Sequence, residues 1–156
     1  MPLLEWIGAW PGAVLLRGSG DAYALVNGAH ILAIGLLIGS ILPLDLRLLG
    51  LFRDAPVTVV TPFLLRFAAA GAIAAILTGL TLFSVKPEEY VVNDAFQSKM
   101  ALLAVALANV FLQHRSGDFK HAVKTGEITL PVRLRAAASA LLWVSVLLAG
   151  RWIGFL

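Results

Sequence analysis

The stretch VNGAHILAIGLLIGSILPLDLRLLG (residues 26–50) decides the fold. Between Ala29 and Leu44 it holds a single ionisable side chain, His30. Taken back to Ala22, the run is long enough for a helix rising about 1.5 Å per residue to cross an apolar layer about 30 Å thick. Three further runs have the same character: about 60–85, 96–114 and 136–155. With 60% hydrophobic and 13% charged residues and a mean hydropathy of +0.90, the chain is too apolar for a water-soluble domain of its size. The expectation is an all-α fold, a four-helix transmembrane bundle forming a single integral membrane domain over residues 1–156. Residues 3–17, LLEWIGAWPGAVLLR, are too short and interrupted to span. With Trp6 and Trp10 they read as a short N-terminal interfacial helix.

The charges give an orientation. Arg47, Arg53 and Arg66 follow the first span, and Arg115, Lys120, Lys124, Arg133 and Arg135 follow the third. The opposite side carries Arg17 and Lys86, with Lys99 and Arg151 just inside span ends. The positive-inside rule therefore places the two basic loops in the cytoplasm and both termini outside, in the periplasm of a bacterium whose inner membrane holds the chain. Basic residues at helix ends rather than in one interleaved patch give no nucleic-acid surface. No signal peptide is evident in MPLLEWIGAWPG, so the first span is expected to direct insertion. Without cysteine there are no thiolate ligands and no iron–sulfur clusters.

Within the first span Gly28, Gly35 and Gly39 share one stripe, and in the second Gly71, Ala75 and Gly79 recur every four residues. Both stripes are expected to allow close helix approach, within or between copies of the chain. His30 lies off the first stripe, on a face with Tyr23, Asn27, Ile34, Leu37 and Ile41, and so is expected off the packing seam. Asp21 is expected to cap the first helix. Asp45 and Arg47 read as the membrane exit, pairing with each other or with nearby helix ends. In the third span Phe96, Lys99, Met100, Leu103 and His114 fall on one side of the helix, and His121 reads as a solvated loop residue.

A histidine inside a membrane helix is costly and calls for a function. Imidazole is a common axial ligand of haem iron, and bundle interiors hold such groups. His30 lies about 12 Å along its helix and His114 about 27 Å along another running the same way, too far apart for an easily shared iron. The residues level with His30 are Lys99 and Met100. The expected site is a b-type haem with His30 as axial ligand, Lys99 and Met100 facing it, and Phe96 and Tyr23 packed around the ring. His114 is a second-site candidate, a propionate anchor or a helix C-cap. Copper held by His30 and Met100 is the alternative. No HExxH motif and no level Ser/His/Asp set is present, and the spans lack a chain of carboxylates for ion transport.

AHILAIGLLIGSILPLDLRLLGLF (29–52), TGLTLF (78–83) and YVVNDAFQSKMALLAVALANVFLQH (90–114) resemble a bacterial family of uncharacterised four-helix membrane proteins with a first-span histidine and a DLRLLG-like signature. His30 followed by Lys99 early in the third span is more distantly similar to HemJ-type protoporphyrinogen oxidases, which bind haem b. That resemblance implies functional roles for His30 and Lys99. The start of the third span looks like the membrane domain of CopD-type copper-resistance proteins. The functional expectation is a haem b electron carrier or redox sensor near the outer face, served by a periplasmic redox or metal-carrier protein. Copper delivery comes second, and a HemJ-like oxidase third.

Overall fold

The computed structural model describes residues 2–152. The described chain is helical: α1 (Pro2–Ala9), α2 (Pro11–Gly18), α3 (Gly20–Leu49), α4 (Val57–Phe83), α5 (Pro87–Val91), α6 (Asp94–Arg115), α7 (Gly117–Thr125) and α8 (Leu130–Trp152). Four of these helices, α3, α4, α6 and α8, are long and apolar enough to cross a membrane. Their outward faces carry Leu25, Ile31, Leu32, Phe63, Ile73, Ile76, Leu77, Phe111 and Leu141. Apolar area of this extent, left outside a folded chain, is stable only against lipid. The protein is a multi-pass membrane protein with an all-α four-helix bundle.

Each boundary has a local cause. Ser19, not Asp21, caps α3, its hydroxyl accepting from the Ala22 amide at 3.3 Å, while Asp21 lies within the first turn. The helix runs past the expected end at Leu44 to Leu49 and stops at Gly50, whose φ of 108° lets its amide and that of Leu51 turn back onto the carbonyls of Leu46 and Arg47. The Asn93 side chain accepts from the Phe96 amide at 3.0 Å and starts α6. The interfacial segment is two helices broken at Trp10. The basic loop after α6, in which His121 reads as a loop residue, contains α7, capped by Ser116 and ended by Gly126 at φ 84°. The fourth span begins earlier than expected, at Leu130, and its expected end at Phe155 lies outside the described residues.

Packing runs in the order α4, α3, α8, α6, each helix lying chiefly against the next. The middle of the bundle is filled by Leu37, Ile41, Ala68, Ala106, Trp143 and Val146. The end bearing α7 is filled by Leu44, Leu48, Val57, Phe119, Val132 and Ala136. At the opposite end, α1, α2 and α5 cover the bundle. There the Trp10 indole donates to Ser84 Oγ at 2.8 Å and Arg17 Nη1 donates to the Val85 carbonyl at 2.9 Å.

The glycine stripes behave unequally. A Cβ on Gly71 would lie 2.6 Å from the Leu37 backbone nitrogen and 3.0 Å from the Ala33 carbonyl oxygen, so α3 and α4 cross in backbone contact at this point. Gly28, Gly35 and Gly39 face open space, with nothing within 4 Å of a built Cβ. The expectation of a seam along the first stripe is therefore corrected. The second stripe makes the seam, and the α3 face it meets is the one bearing His30.

Candidate functional site

His30 sits in the half of the bundle nearer α5, pressed against α4. A Cβ on Gly79 would stand 3.1 Å from His30 Cε1, so the absent side chain is the space the imidazole uses. His30 Nδ1 lies 2.8 Å from Thr78 Oγ1. That hydroxyl has one hydrogen, which it donates to the Ala74 carbonyl at 2.6 Å. With its hydrogen on Ala74 the hydroxyl accepts from Nδ1–H, and the neutral ring then has its lone pair on Nε2; the Ala75 carbonyl also lies within hydrogen-bonding reach of the ring. Thr78 thereby holds the ring plane, as carbonyl or carboxylate partners do for histidines that ligate metals.

Lys99 enters from α6. Its stem lies over Gly150 of α8, with Cε 3.5 Å from a Cβ built there, and it is close enough to act electrostatically on His30. No carboxylate pairs with it among the described residues. The structure thus brings together His30 and Lys99, two of the residues singled out in the sequence.

Phe96 and Tyr23 belong to an aromatic layer at the α5 end. Phe83 and Phe96 stack at 5.6 Å between centroids, and Tyr90 lies 5.5 Å from Phe96 and 6.1 Å from Phe83. Burial, and secondarily the neighbouring Tyr23 hydroxyl, push the Tyr90 phenol above its ordinary value. Met100 is turned to the outside of the bundle and is 45% exposed, whereas Lys99, one residue earlier, points inward. His114 is in the last turn of α6 at the far end from His30. Its Nδ1 lies 2.8 Å from the Val110 carbonyl of its own helix, and its ring lies 5.2 Å from Phe119. His121 Nε2 meets Glu127 at 3.2 Å on the exposed edge of α7.

Two groups depart from their expected settings. Arg47 turns into the α3–α4 loop, Nε donating to the Ala55 carbonyl at 2.6 Å. Asp45 is 5% exposed and lies beside the Ser139 hydroxyl of α8. Reading DLR as an exit signal hid this burial, because α3 continues beyond Leu44 and carries Asp45 on its inner face.

Among the described residues no three His, Asp or Glu side chains gather into a metal cage. A haem brings its own four nitrogens and asks the protein for one axial donor, so the lone Nε2 of His30 fits that group better than it fits a bare ion. Lys99 is the cation within electrostatic reach of His30 and suits a propionate.

Fold and site together define a polytopic helical membrane protein with a histidine held against α4 and a lysine within electrostatic reach of it towards one end. The chain belongs to a family of unknown function, DUF6644, whose model matches residues 4–156. No curated protein and no solved structure matches it. The comparisons show no likeness to HemJ-type oxidases or CopD-type domains.

Proposed function

We propose that the protein is a haem b-binding electron carrier or redox sensor of the bacterial inner membrane, with the α5 end and both termini on the periplasmic side. The observation that supports this reading is the 2.8 Å contact of His30 Nδ1 with Thr78 Oγ1: with the Thr78 hydrogen on Ala74, Nδ1 bears the N–H and Nε2 would be able to bind iron. In this role His30 would hold the haem iron through Nε2, Lys99 would neutralise a propionate or offer a second donor, and the layer of Tyr23, Phe83, Tyr90 and Phe96 would screen the site from water. Bound there, haem supplies reversible one-electron transfer. A periplasmic redox protein is the natural partner for a site at this end.

Copper delivery is the second reading. It is weaker because Met100, the soft donor it needs, faces outward. A HemJ-like oxidase would use the same His30 and Lys99 and is third.

The deciding measurement is the absorption spectrum, with metal analysis, of protein made with ample haem and copper and purified in mild detergent. A Soret band is expected, and it is expected to disappear in His30→Ala and persist in His114→Ala. Copper without a Soret band supports the second reading. A Soret band that survives His30→Ala, or the absence of both cofactors, refutes the His30 assignment.

A further inference from the structure

A second polar site lies in the other half of the bundle. A cavity of about 190 Å³ lies between α4 and α6, its apolar wall built chiefly from aliphatic side chains of α3, α4 and α6. Seven of its lining residues are polar: Asn109, His114 and Ser139, and, from three helices, Asp45, Gln113, Arg135 and Trp143. Asp45, Gln113 and Trp143 are 5%, 7% and 3% exposed. Each of these last four has a buried atom without a hydrogen-bond partner among the described residues: Asp45 Oδ2, Gln113 Oε1, Arg135 Nη1 and Trp143 Nε1. Gln113 Nε2 is already committed to the Val132 carbonyl at 3.3 Å, which leaves its Oε1 as the free end. The set is therefore two acceptors and two donors, in a place where an unmet polar group costs about 1–3 kcal/mol. So many unmet groups around one space mark an occupant.

The occupant's chemistry follows from the set. It has to accept from Arg135 and Trp143, be able in one of its states to donate to Asp45 and Gln113, and otherwise suit aliphatic walls. The space is somewhat larger than the roughly 150 Å³ cavity known to admit benzene, so it takes one ring. The way in is from the bilayer: α4 and α6 have little packing against each other along their length, and their aromatic stack, Phe83 on Phe96, is at the α5 end, away from the cavity.

We propose that this cavity binds the head group of a lipid-soluble quinone or quinol, with the isoprenoid tail leaving between α4 and α6. In the oxidised form the ring carbonyls accept from Arg135 Nη1 and Trp143 Nε1. In the reduced form the hydroxyls donate to Asp45 Oδ2 and Gln113 Oε1. One wall thus serves both states, which a site built of donors alone would not.

Trp143 provides the readout. A chain with Trp6, Trp10 and Trp152 replaced by phenylalanine keeps it as the single indole, and quinones quench indole fluorescence. Decylubiquinone is titrated into this protein in nanodiscs, in the otherwise native chain and in His30→Ala, so that failure of the haem assignment is read separately. Saturable quenching is expected in both, with Kd raised at least tenfold by Asp45→Asn and by Arg135→Gln. Ala72→Phe, which fills the space without removing a polar group, is expected to abolish saturation even where the polar variants fold poorly. Quenching that rises linearly with quinone in the lipid, as it would over a cavity holding water only, overturns the proposal. So does saturable quenching unchanged in Ala72→Phe.

Discussion

At the scale of single residues, the site depends on a hydroxyl that has no charge and no motif. Thr78 stands against Nδ1 of His30, and with its own hydrogen on Ala74 it favours the proton at that nitrogen. Thr78→Val keeps the shape and removes the acceptor. Haem affinity is expected to fall roughly ten- to a hundredfold, the usual cost of losing the group that orients a ligating histidine, with the Soret band weakened rather than abolished. Competition by apomyoglobin for haem measures this, and unchanged affinity would show that Thr78 does not orient the ring. His30 was legible in the sequence because an imidazole stands out among leucines. Thr78 was not, since its partner is 48 residues away and their meeting depends on how two helices cross. Asp45 was visible as a residue but its setting was not: an acid near a span end reads as a surface group until the helix is known to continue past it.

At the scale of elements, glycine spacing located a seam but not which of two stripes formed it. Sequence periodicity gives the face a glycine lies on, and only the partner helix tells whether that face is covered. The difference is measurable. Gly71→Ala places a methyl 2.6 Å from the Leu37 nitrogen and forces α3 and α4 apart. It is expected to destabilise the bundle by about 1–3 kcal/mol, with an earlier thermal unfolding in detergent. Gly35→Ala meets nothing within 4 Å and lowers the flexibility of the unfolded helix, so it is expected to be neutral or to stabilise by up to about 1 kcal/mol. Equal effects from the two would contradict the seam assigned to α4. The missed element, α7, had its signals in the sequence: Ser116 as cap, Phe119, Ala122 and Val123 at helical spacing, and Gly126 as the stop. They were outweighed by the basic character of the loop.

At the scale of the molecule, the number and approximate limits of the spans were legible because twenty-residue apolar runs have few alternatives. The helix order was not, since pairing depends on side-chain fit across sequence separations that hydropathy does not record. Orientation is open to direct measurement because the chain has no cysteine. Val92 is 75% exposed beside α5, and Lys124 is exposed in α7. With a membrane-impermeant maleimide on spheroplasts, Val92→Cys is expected to react at once and Lys124→Cys only after lysis; the reverse pattern would invert the topology. The bonds from Trp10 to Ser84 and from Arg17 to Val85 carry a consequence for biogenesis. They join groups 74 and 68 residues apart, and the later partner of each emerges only after α3 and α4 have both crossed the bilayer. The N-terminal segment therefore has to wait on its side of the membrane until the hairpin returns, and then closes on it as a clasp. Premature release of α4 from the insertion machinery would leave that clasp with nothing to hold.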